Sequence, residues 1–184
     1  MKIYRIVADV NTFLSFLPKN INQTNLLIMD CKTKINIWND IDFYILQTNK
    51  EKGNFYGTVN GGGLIIDSKA AESLAYFWES SGELLPFDYN KEKFYFFNPL
   101  NCYDLLDQIK TEWEYGKTTN KPIRIIKYYF IKERMTETPI FKIPQTMKSE
   151  ILVSEGLKDE EDEFIYQVKK NNLKGLKFQE LWIA

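Results

Sequence analysis

The stretch 139–178 constrains the fold more than any other, because strand, strand, helix and strand signals follow one another there with turn residues between them. Ile140-Phe141-Lys142-Ile143 breaks at Pro144, Ile151-Leu152-Val153-Ser154 comes next, and Gly175-Leu176-Lys177-Phe178 closes the run. An acidic, helix-like segment over 157–171 separates the last two. Ser154 is its expected N-cap, and the acids of 159–163 fall in the early turns, where the positive end of the helix dipole lies. Lys169 and Lys170 sit at the opposite end, and Asn171, Asn172 and Gly175 stop the helix.

Ile3-Tyr4-Arg5-Ile6-Val7 alternates as a short strand should. Phe43-Tyr44-Ile45-Leu46 and Phe55-Tyr56-Gly57-Thr58-Val59 read as the two arms of a hairpin. Asn60-Gly61-Gly62-Gly63 is expected to be a plain turn. Bare backbone amides can cradle phosphate, but no Gly-Lys-Ser/Thr follows and Leu64-Ile65-Ile66 looks like a strand. Asp67 and Ser68 cap the clearest helix, over 68–80, where Ala71, Leu74, Ala75 and Trp78 recur on one apolar face. The runs 83–87 and 93–98 are strand-like around the turn residues Asp88, Asn90 and Lys91. Ile123-Arg124-Ile125-Ile126-Lys127-Tyr128-Tyr129-Phe130-Ile131 reads as a strand crossing the core, with too few cations to be a base-stacking surface. The expectation is one α+β domain over 1–184, with a strand and loop region at 1–60 and a core at 64–184. A mostly antiparallel sheet should carry the helices near 68–80 and 157–171.

Composition narrows the function. The chain has no histidine, which removes Ser-His-Asp and Cys-His catalysis, histidine metal sites and the commonest general base. With a net charge of −1 and a pI near 5.7 there is no basic field to hold nucleic acid or an anionic membrane. No apolar run reaches transmembrane length and the N-terminus does not read as a signal peptide, so a cytoplasmic protein is expected. Cys31 and Cys102 stand in no ligand spacing, and the expected state is a free buried pair in a reducing compartment.

Two groups invite a site. Asp104 and Asp107 would share one face if 102–109 formed a helical turn, and paired acids can bind a metal or move protons. The plainer reading is a solvated face or a cap. Glu112-Trp113-Glu114-Tyr115 sets aromatic anchors among acids, the pattern of an interface hot spot, against the plainer reading of a half-exposed strand. The acidic run 159–163 offers a second negative surface, against the plainer reading of a solvated helix.

Leu64-Ile65-Ile66-Asp67-Ser68 and its helix, then Leu84-Leu85-Pro86-Phe87, 94–98 and the Asp104/Asp107 segment, resemble a family of bacterial immunity proteins found beside polymorphic toxins. The likeness continues through Ile140-Phe141-Lys142-Ile143, Ile151, Val153 and Ser154 to Gly175-Leu176-Lys177-Phe178, and covers 43–178. It implies a small cytosolic α+β protein that binds and blocks a cognate toxin, with no catalytic residue and no cofactor. Asp67 before Ser68 and the 60–63 turn depart from the family pattern and leave the toxin-facing surface open. The alternative is a histidine-free enzyme or small-ligand binder using Asp104 and Asp107.

Overall fold

The computed structural model describes residues 1–38, 41–58 and 63–184. Among these the fold is α+β, and every pairing between its strands is antiparallel. The N-terminal strand β1 (Lys2–Ala8) is followed by two short strands, β2 (Phe16–Pro18) and β3 (Phe43–Ile45). Then come β4 (Phe55–Tyr56), β5 (Leu64–Asp67), the helices α1 (Ser68–Ser73) and α2 (Ala75–Ser81), and the hairpin of β6 (Gly82–Tyr89) and β7 (Glu92–Pro99). A second hairpin, β8 (Glu112–Tyr115) and β9 (Pro122–Lys127), precedes β10 (Ile140–Phe141), β11 (Ile151–Glu155), α3 (Phe164–Lys170) and β12 (Leu176–Ile183).

The expected sheet is divided. One four-stranded sheet has the order β10-β11-β1-β12 and a second the order β4-β5-β7-β6, with β2-β3 and β8-β9 as separate pairs. In the first, the two ends of the chain meet: Ile6 stands opposite Phe178 on one side and Ile151 on the other. The helices pack between the sheets, where Leu74, Phe77 and Trp78 meet Phe164, Ile165 and Val168 over a shared apolar cluster. Beyond the second sheet lies another cluster, built on Phe16, Phe43, Phe87, Phe94 and Phe96. Beyond the first lies a third, built on Ile3, Leu105, Tyr128, Phe130, Phe141 and Leu152. Both sheets are therefore covered on both faces. That explains why Ile65 and Ile66, Phe96 and Phe97, and Leu152 and Val153 are adjacent apolar pairs rather than alternating ones, since each member faces a different cluster.

Several local expectations hold. Asp67 is the N-cap of α1, its Oδ1 accepting from the Ala70 amide at 2.8 Å. Asn90 and Lys91 both take positive φ, 50° and 67°, the conformation that closes a two-residue hairpin in step with strand twist. α3 ends at Lys170 with Asn171 as its C-cap, and Gly175, just before β12, has φ +109° and a Cβ position 2.3 Å from the Phe55 carbonyl oxygen, so that position has to be glycine.

Others need correction. The 68–80 helix is two helices broken at Leu74, whose φ and ψ are −120° and 24°. The 43–46 and 55–59 runs, of which Val59 lies outside the described residues, do not pair as a hairpin over the rest: β3 pairs with β2 and β4 with β5, and Phe43 and Phe55 belong to different clusters. Of the 60–63 turn, 60–62 lie outside the described residues. Ser154 is no cap; it is buried in β11 opposite Ile3. Glu163 precedes the helix instead, and its buried carboxylate turns back to accept the Gly156, Leu157 and Lys158 amides at 2.9–3.0 Å. Three amide donors satisfy it without any help from α3. Residues 159–162 consequently form an exposed turn ahead of the helix.

The 123–131 run does not cross the core as a strand. Its first half is β9, exposed at every position except the half-buried Ile125, and only Tyr128 and Phe130 beyond it enter the third cluster. No helix among the described residues is long and apolar enough to cross a membrane.

Candidate partner-binding surface

The β8–β9 hairpin stands outside both large sheets and is fixed to the molecule by one of its faces. Trp113 and Ile125 are cross-strand partners, and both pack on the third cluster, where Leu181 and Trp182 of β12 also lie. Register shifts at Glu112/Trp113 and Glu114/Tyr115 interrupt the ladder, and such bulges increase twist. The connecting loop is closed by the Gly116 amide on the Lys121 carbonyl at 2.8 Å and the Asn120 amide on the Gly116 carbonyl at 2.9 Å.

Each acid of the hairpin faces a cation. Glu112 pairs with Lys127 at 3.8 Å, and Glu114 forms an ion pair with Arg124. Both acids are thus neutralised, Lys117 and Lys121 leave the hairpin with a net charge of +2, and pairs this exposed add little stability. Its outward character comes from apolar groups instead. Tyr115 is 52% exposed, Ile123 64%, Ile126 62%, and Met147, on the turn after β10, 87%.

Between the hairpin, the Met147 turn and the outer edge of β12 runs a groove of about 530 Å³. Its floor is polar and linked through Arg5 and Glu150, while the Oε1 of Gln145, which also lines it, is buried without a hydrogen-bond partner among the described residues. Arg5 donates from Nη1 to Glu150 Oε1 at 2.6 Å and from Nε and Nη2 to Gln179 Oε1 at 2.9 and 2.6 Å. The Tyr128 hydroxyl donates to Glu150 Oε2 at 2.7 Å. Burial, reinforced by the Glu150 carboxylate, pushes the Tyr128 phenol well above its ordinary range, so it stays a neutral donor at physiological pH. An apolar rim over a hydrogen-bonded polar network suits a protein partner, which gains affinity from large side chains.

The residues singled out from sequence have the following places. Glu112 and Tyr115 are exposed, Glu114 is half-buried, and Trp113 is the anchor that holds the hairpin down rather than a free contact. Asp104 and Asp107 share no helical face, since 102–109 contains no helix. Asp104 accepts from the Gln145 amide nitrogen, while Asp107 Oδ1 accepts from the Ile109 and Lys110 amides at 3.1 Å and closes a turn. Those backbone donors, the Lys110 amide foremost, hold the Asp107 carboxyl below its usual range. The acidic 159–162 turn carries no ion pair among the described residues. It leads into α3, on the face of the first sheet opposite the hairpin.

Sequence reasoning missed Ile123, Ile126, Met147 and the Arg5–Glu150–Tyr128 floor. A signal for the first two was present: Lys121 and Pro122 open the run and Arg124 and Lys127 interrupt it, the marks of an edge strand kept in solvent. The floor is assembled from residues far apart in the chain and left no local trace. No protein-family model matches the chain, and no curated protein matches it significantly.

Proposed function

We propose that this chain is a non-catalytic binding protein that neutralises a bacterial toxin, and that the β8–β9 hairpin and its groove form the docking surface. The observation that supports this reading is the exposed apolar surface of Tyr115, Ile123 and Ile126, on a hairpin that completes neither large sheet, and of Met147 on the turn beside it. Tyrosine, methionine and arginine are favoured at interface centres, and a strand pair held by Trp113 loses little freedom when it binds. A cytoplasmic location belongs to the same proposal. Asp104 and Asp107 enter it as groups that hold loops, not as a reacting pair.

The test is to express the product of the neighbouring gene, titrate the two calorimetrically, and challenge cells expressing that product with and without the chain. A one-to-one complex and restored growth are expected. A folded protein that neither binds the neighbouring gene product nor protects cells would overturn the proposal.

A further inference from the structure

The two cysteines, remote in sequence, belong to one cluster beside a buried lysine. Lys142 is fully buried, and its Nζ donates to the Met29 carbonyl at 2.6 Å. Lys148 reaches the next carbonyl, that of Asp30, at 3.0 Å. These bonds pin the chain immediately before Cys31. On the other side, the Lys142 amide donates to the Asn101 carbonyl and the Tyr103 amide to the Lys142 carbonyl, both at 2.9 Å. Cys102 is thereby the β-bridge partner of Lys142 and carries its side chain on the same side. Cys31 and Cys102 thereby approach Lys142 from two sides, and its charge acts on both.

Three features set this pair apart from packing cysteines. Both are partly exposed rather than sealed in the core, so a small oxidant can reach them. Cys31 holds a left-handed backbone, φ +64°, that residues with a side chain rarely adopt. A cation also stands beside sulfurs that must pass through a thiolate to react. Burial pushes the Cys31 thiol up to about 11 and Lys142 opposes that shift, so Cys31 takes the resolving role and does not make the first attack on the oxidant.

We infer that Cys31 and Cys102 are a modification site, a reversible disulfide formed by a peroxide and reopened by a dithiol, which staples the loop under the second sheet to the segment entering the third cluster. In the first step the Cys102 thiolate attacks one oxygen of hydrogen peroxide and the O–O bond breaks. Hydroxide leaves, takes up the proton released by the thiol to become water, and the sulfur is left as a sulfenic acid. The Cys31 sulfur then attacks that sulfur, the S–S bond forms, the S–O bond breaks, and the departing hydroxide leaves as a second water with the Cys31 proton. Two thiols are oxidised and one peroxide is reduced to two waters. A dithiol reverses the product by exchange and is itself oxidised.

The experiment treats the full chain with hydrogen peroxide in modest excess, then follows maleimide labelling, intact mass, peptide mapping and melting temperature. The expected result is loss of both free thiols, a mass lower by two hydrogens and a peptide linking Cys31 to Cys102 in a monomer. Melting temperature should rise by roughly 5–10 °C, because the bond closes a long loop, and dithiothreitol should reverse every change. Cys31→Ser should leave Cys102 open to further oxidation or mixed disulfides. Thiols that still label fully, higher oxides without an internal link, or a link only between molecules would each overturn the inference. So would a Cys31→Ser protein whose Cys102 resists oxidation as the wild type does.

Discussion

Two hairpins of similar composition have opposite fates. In β6–β7 the strand β7 is paired on both sides, and its rings Phe96 and Phe97 are wholly buried, one toward each neighbouring cluster. In β8–β9 neither strand has a second neighbour, and β9 exposes Ile123 and Ile126. Both read as apolar, β-branched or aromatic strands. What separates them is whether a third strand and a helical layer cover them, a property of the whole fold. The first hairpin builds the core; the second leaves apolar surface exposed, which is what the proposed function uses.

Truncating each hairpin should show the contrast. Phe97→Ala removes a fully buried ring whose centroid lies 4.7 Å from that of Trp78. It should cost about 3–5 kcal/mol in urea denaturation. A loss below about 1 kcal/mol would mean that the layer between the sheets is loosely packed.

Lys142 sharpens the buried side of the comparison with a charge. Burial pushes its ammonium from the ordinary 10.5 down to about 8. At any pH between those values the unfolded chain holds more protons than the folded one, so stability rises with pH as the folded lysine discharges. Cys31 works in the opposite sense, because its folded value of about 11 lies above the ordinary 9.0, and its contribution is lost only as pH climbs past the lower figure. Between about pH 8 and pH 9 the lysine therefore dominates, and stability should increase by ~1 kcal/mol. Lys142→Met should abolish that rise in denaturation curves taken at the two pH values.

At the exposed hairpin the effect on stability should be smallest. Ile126→Ala should change unfolding free energy by no more than about 0.5 kcal/mol, since the side chain is already mostly in water. A cost near that of Phe97→Ala would erase the distinction between the two hairpins.

The parts legible in the sequence are those set by local chemistry. Asp67 capping α1, the Asn90-Lys91 turn, the apolar face of Ala71, Leu74 and Trp78, and the stop of α3 at Asn171 and Asn172 each depend on a few neighbouring residues. Pairing between remote segments was not legible. Nothing near Ile6 announces that Phe178 and Ile151 will flank it, and nothing near Phe43 sends it to a different cluster from Phe55. Ser154 and Glu163 show a local rule overridden, because the serine was needed inside a strand and the glutamate could satisfy three amides at once. At the candidate surface, the 112–115 stretch was visible as an amphipathic strand, but which of its rings anchors and which is exposed depends on the third cluster beneath it.

The most direct measurement places a charge on the exposed hairpin. Ile126→Glu is compared with the wild type by thermal melting and by calorimetric titration against the product of the neighbouring gene, the partner the proposed function calls for. An unchanged fold, with melting within about 2 °C, and affinity reduced by roughly 100-fold are the predicted results. Wild-type affinity in the folded variant, or collapse of the fold itself, would contradict the assignment of β8–β9 as a surface held ready for a partner.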